Sequence, residues 1–148
     1  MNFCNHLYYV TSSLFRKKEE KFKGSHVLAD FTGLGLVDEY EIGNFIFNLM
    51  IEAIDQTSMK IVHSHLEILN KDTPPGFTSG ILLLDSSHFT AHCYSDLGII
   101  AMDLFTCNGE DHITDVMSVM KYVQNKIVKK YPNVKCTYMK EHKRFRYS

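Results

Sequence analysis

FTSGILLLDSSHFTAHCYSDLGIIAMDLFTC, residues 77–107, holds three β-type runs and leaves no segment long enough for a helix. SGILLLD, residues 79–85, is a short continuous apolar run, the pattern of a buried strand. HFTAHCY, residues 88–94, alternates, and GIIAMDLFT, residues 98–106, is again apolar and rich in β-formers. A doubly wound parallel sheet needs a helix after nearly every strand, and this stretch has room for none. The three runs therefore read as consecutive strands joined by hairpins.

Working upstream, NKDTPPG (70–76) is a loop, because two prolines and a glycine cannot continue a ladder. MKIVHSHLEIL (59–69) suits a strand. Ile42, Phe45, Ile46, Leu49, Met50, Ala53 and Ile54 recur at three- and four-residue steps, predicting a helix over 39–56 that Asp38 caps and Gly43 slightly weakens. SHVLADFTG (25–33) is a further strand. Downstream, Glu110 or Asp111 opens a second amphipathic helix with Ile113, Val116, Met117, Met120, Val123 and Ile127 on one face. That helix ends before Pro132, and VKCTYM (134–139) makes a last strand. Grouped strands with helices between them predict an α+β fold, a two-layer sandwich with a mostly antiparallel sheet and two main helices packed on one face. The domain spans 25–148, and residues 1–24, ending in the charge run RKKEEKFK, read as an N-terminal arm.

The 148 residues carry a net charge of −1, which gives nucleic acid or a membrane surface no electrostatic hold. No apolar run approaches the roughly 20 residues that span a bilayer. The N-terminal charges follow the apolar part, the reverse of a secretory signal. Cys4, Cys93, Cys107 and Cys136 form no CxxC pair, so neither a zinc ribbon nor a thioredoxin-type site is expected. A cytoplasmic protein with free thiols and no metal is the expectation.

Ser79, Ser86, Ser87, His88, His92 and Cys107 sit within or at the ends of the three central strands. Hairpins bring such residues near one another, so a hydroxyl, an imidazole and a thiol are expected to share a pocket. Here the chain resembles a known family. SGILLLDSSHFTAHCYSDLG followed by AMDLFTCNG is similar to SGxxxxxESHxxxHTWPExG and AxDxFTCG, the proenzyme signature of the short, prokaryotic-type S-adenosylmethionine decarboxylases. Ser79 lies eight residues before Ser87, His92 five after it and Cys107 twenty after it, all as in that family. GSHVLADFTG likewise resembles the family's first strand, GxHLLxxxxG.

The resemblance implies cleavage of the Ser86–Ser87 bond into a β chain, 1–86, and an α chain, 87–148, the latter capped by a pyruvoyl group made from Ser87. That ketone would form a Schiff base with the substrate amine and act as the electron sink for decarboxylation, as PLP does elsewhere. Ser79 would assist processing, His92 would transfer its proton, and Cys107 would donate a proton during decarboxylation. The implied product is decarboxylated S-adenosylmethionine for spermidine synthesis, made by a homodimer with its sites at or near the interface.

The chain departs from the family pattern at several places. Residue 86 is Ser where the family has Glu, and the acid, Asp85, stands one place earlier. Cleavage at Asp85–Ser86 would keep an acid-Ser bond but break every spacing. Tyr94 replaces Trp and Asp96 replaces Glu in the HTWPE segment. Asp72 stands near the place of an aromatic residue thought to stack on adenine, with Phe77 as the neighbouring aromatic face. Asp72, Phe77, Tyr94 and Asp96 are thus the candidate substrate-binding residues, and they leave arginine or ornithine open as substrates, since Asp72 suits a cationic group. Three other readings remain. One is a thiol hydrolase using Cys107 and His92. Another is a metal site on His88 and His92 or on His63 and His65, and the third is an unprocessed non-catalytic homologue.

Overall fold

The computed structural model describes residues 23–69, 77–108 and 115–145. Six strands and two helices follow in the order β1 (Lys23–Thr32), α1 (Glu39–Asp55), β2 (Ile61–Ile68), β3 (Phe77–Leu84), β4 (His88–Tyr94), β5 (Ile99–Asn108), α2 (Val116–Lys130) and β6 (Lys135–Arg144). The strands form one sheet in the order β2-β3-β4-β5-β1-β6. Every pairing in it is antiparallel. This is the expected α+β sandwich. β1 starts at Lys23, inside the stretch read as an arm; residues 1–22 lie outside the described residues, as do Asp72 and Ile113.

α1 begins where Asp38 accepts hydrogen bonds from the Tyr40 and Glu41 amides at 3.0 and 3.2 Å, which satisfies two of the first-turn donors. Its apolar stripe of Ile42, Ile46, Leu49, Met50, Ala53 and Ile54 is buried against the sheet. Phe45 lies at the stripe's margin, half-buried and edge-on to Tyr131. Gly43 is the point of closest approach, because a Cβ there would come within 2.8 Å of the Thr78 Cγ2 on β3. α2 starts later than the sequence suggested. Its cap is Asp115, which accepts from the Met117 amide at 3.1 Å, in place of Glu110 or Asp111. Val116, Val119, Met120, Val123 and Ile127 face the core.

Burial alternates along the strands and so fixes the two faces. Phe89, Ala91 and Cys93 of β4, Ile100, Met102 and Leu104 of β5, and Val27, Ala29 and Phe31 of β1 lie under the helices. Each large apolar side chain taken from water there contributes roughly 1.5–3 kcal/mol before chain entropy is set against it. Both helices cover this face, and residues of opposite parity form an open face with no helix among the described residues over it. No helix of the described residues is long and apolar enough to cross a membrane.

Candidate active site

β3 and β4 are joined through Asp85 and Ser86, and the turn closes with the Leu84 amide donating to the Ser87 carbonyl at 2.9 Å. Asp85 is tied to the start of β2 through the Lys60 carbonyl, at 3.1 Å. β5 runs past the start of β4, since Phe105 already pairs with His88. The backbone of Cys107 would therefore lack strand partners on that side. Two side chains replace them. The Cys107 amide donates to the Ser87 Oγ at 3.3 Å, and the Ser86 Oγ donates to the Cys107 carbonyl at 3.2 Å. Both hydroxyls flanking the Ser86–Ser87 bond are thus locked onto one residue of β5. Ser87 is 8% exposed while Ser86 is exposed, so the two serines are not equivalent.

Ser87 precedes β4 on the helix side of the alternation. It falls opposite Thr106 when the register is continued one step. Thr106 is fully buried, with its hydroxyl unbonded among the described residues. Cys107, next along β5, has open-face parity and is half-buried. Cys93 has helix-side parity, and burial pushes its thiol up to about 11. Of these two strand thiols, Cys107 is the one placed to meet a ligand.

Ser79 and His92 form the second constellation. They are direct cross-strand partners on β3 and β4, both on the open face. His92 lies five residues beyond Ser87, about 17 Å along the strand at roughly 3.4 Å per residue. Phe77 and Tyr94 are paired one further step away, at the same end as the exposed Asp96 in the β4–β5 turn. One chain thus brings Ser86, Ser87 and Cys107 together at one end of the sheet. It gathers Ser79, His92, Tyr94 and Asp96 toward the other. The two groups do not meet within a single subunit, contrary to the shared pocket expected from hairpin connectivity.

Between them lies a cluster that sequence reading missed. His26 of β1 and His88 of β4 both pair with Phe105 of β5, and both reach diagonally to Asp103. Each Nε2 is 3.2 Å from the Asp103 Oδ1, and the Thr90 hydroxyl donates to Oδ2. His26, His88 and Asp103 each offer a ligand atom within 4.8 Å of the others and form the one metal-compatible group among the described residues. The pairings weighed from sequence do not recur there. His88 and His92 are about 13 Å apart along β4, and His65 instead pairs with Glu67 at 3.1 Å. The available signal for the missed cluster was that His26, His88 and Asp103 sit inside the three quoted motif segments.

The family model for S-adenosylmethionine decarboxylase matches residues 25–140. An S-adenosylmethionine decarboxylase proenzyme from Sulfurihydrogenibium sp. is 30% identical over 106 residues, covering 70% of this chain and 72% of that protein. One from Clostridium botulinum is 27% identical over 115 residues, covering 78% and 92% respectively. The crystal structure of the adenosylmethionine decarboxylase from Aquifex aeolicus superposes with a TM-score of 0.56 at 22% identity, over 86% of this chain and 93% of that one, a likeness of fold. With the match running from β1 to β6 and taking in both constellations, the chain belongs to the S-adenosylmethionine decarboxylase family.

Proposed function

We propose that this chain cuts itself between Ser86 and Ser87 and, as a cytoplasmic homodimer, decarboxylates S-adenosylmethionine for spermidine synthesis. The observation that carries the reading is the double lock of the Ser86 and Ser87 hydroxyls onto the Cys107 backbone. It holds the attacking oxygen at a shielded turn and sets the scissile bond against the residue needed afterwards. The Ser87 Oγ adds to the carbonyl carbon of Ser86, the C–N bond breaks, and an ester with a free amine at residue 87 results. Loss of the residue 87 α-proton then expels the Ser86 carboxylate, which takes the former Oγ with it. Water replaces the nitrogen as ammonia and leaves a ketone. A serine at 86 is compatible with this route, because only its backbone carbonyl reacts.

The pyruvoyl group supplies the electron sink that departing CO2 requires. Cys107 delivers a proton at that end of the sheet. Ser79 and His92, which assist processing, and the substrate-binding Phe77, Tyr94 and Asp96 lie too far off in the same subunit. They come from a partner. A two-fold axis lying between two face-to-face sheets, parallel to the open faces and perpendicular to the strands, superposes opposite ends of the two sheets in a self-complementary interface. Ile81, Leu83 and Tyr138, each more than two-fifths exposed and of open-face parity, support that packing. Asp72 is proposed to join the substrate site from the loop before β3. Cys93, Cys107 and Cys136 are free thiols, which fits a reducing compartment.

Denaturing mass spectrometry tests the first step. The wild type should yield two fragments and Ser87→Ala one, whereas a single 17.1 kDa species after long incubation of the wild type would overturn the proposal. Release of CO2 from S-adenosylmethionine, and none from arginine or ornithine, is the expected specificity. Borohydride trapping of the substrate on the α chain would locate the ketone.

A further inference from the structure

We propose that Asp103 is a positioning residue that holds the newly cut start of β4 against β5. The inference rests on the self-cleavage reading above. Before the cut, residue 87 is fixed three ways. It is linked to Ser86, its carbonyl accepts from the Leu84 amide at 2.9 Å, and its Oγ accepts from the Cys107 amide at 3.3 Å. Cleavage removes the first tie. It also removes the third, because the Oγ departs within the carboxylate of Ser86. The segment bearing the reactive group then becomes a chain end, where strands fray.

The next side-chain ties inward both end on Asp103. Its Oδ1 accepts from the His88 Nε2 at 3.2 Å, and its Oδ2 accepts from Thr90. The first and third residues of β4 are thereby clamped to the strand that carries Cys107. Oδ1 also accepts from the His26 Nε2 at 3.2 Å, which braces the carboxylate from β1. The Phe105 ring packs beside both imidazoles, 5.4 Å from His88 and 5.8 Å from His26. The proton placement is fixed by Arg144. A guanidinium only donates, so the His26 Nδ1, 3.4 Å from Nη1, accepts and the proton sits on Nε2. A cation bound at Nε2 would instead put the proton on Nδ1, facing another donor. With its Nε2 committed as a donor, His26 joins His88 and Thr90 in a hydrogen-bonded clamp on the accepting Asp103 carboxylate, in preference to a metal site.

Hydrogen exchange on the assembled enzyme tests this. In the cut enzyme, Asp103→Ala should speed amide exchange of the 88–94 segment by about 10- to 100-fold, the worth of hydrogen bonds to a charged group. In the uncut Ser87→Ala background, the same substitution should leave that segment's exchange within about 3-fold, because the chain itself still holds the turn. Asp103→Asn, which keeps an accepting oxygen, should recover most of the protection, and His88→Phe should lose it while keeping the ring contact. The kcat of cut Asp103→Ala should fall by up to about 100-fold, as for a group displaced by an ångström. Equal acceleration in cut and uncut chains, or none in the cut enzyme, would overturn the clamp. Zinc binding by titration calorimetry that Asp103→Asn abolishes would overturn it in favour of a metal. A wild type that never cuts would instead sink the self-cleavage reading, and the clamp with it.

Discussion

Cys93 and Cys107 sit on neighbouring strands, yet only one of them faces outward. Cys93 is 2% exposed under the helices, and its thiol titrates near 11 in place of 9.0. The folded chain thus keeps a proton that the unfolded chain sheds across that window, so stability should fall as pH rises from 9 to 11. Chemical denaturation at stepped pH reads this directly, and Cys93→Ala should flatten the slope. Cys107→Ala is expected to leave self-cleavage at least partly intact while lowering kcat by about 100-fold or more, the usual size of a general-acid contribution. Normal turnover in that variant would remove the thiol from the chemistry. The resemblance to the family signature picked out Ser79, Ser87, His92 and Cys107, because their separations along the chain match it. Asp103 and His26 went unnoticed because their meeting depends on which strands are neighbours, and β1 reaches β5 only across the sheet.

At the scale of elements, the contact between α1 and β3 depends on Gly43. Alanine there gains about 1 kcal/mol of helix propensity, but overpacking against a buried threonine costs about 1–3 kcal/mol. Thr78 is 2% exposed and sits 2.8 Å from the added carbon, so the cost should win. Gly43→Ala should therefore lower Tm by a few degrees, and Thr78→Ser, which deletes the crowding methyl, should restore it. From sequence Gly43 looked like a mild helix weakness, since propensity is local and the approach of a strand is not. Element order and type were legible throughout, because periods of two and near 3.6 survive in the chain. The start of α2 was not. Three acids at 110, 111 and 115 can each cap a helix, and only the amide actually bonded to Asp115 decides among them.

For the whole molecule, the separation of Ser87 from His92 sets the sharpest expectation. Ser87→Ala and His92→Ala should each be inactive alone, yet co-expression should regain activity. Random pairing makes half the dimers mixed, and each mixed dimer has one complete site of two, so about a quarter of wild-type activity is expected. No recovery in purified mixed dimers would show that each subunit carries its own complete site. The homodimer was an expectation drawn from the family resemblance, and the distance of about 17 Å between Ser87 and His92 along one chain emerges only when strand register turns residue counts into lengths.

The sheet face that no described helix covers also bears on timing. If a partner supplies the groups that move the proton, as proposed, a lone subunit holds its nucleophile and scissile bond in place while those groups sit a strand's length away. Self-cleavage is then a second-order event, paced by encounter between subunits. On that reading dilute chains should remain intact precursors and mature only once enough chain has accumulated to pair.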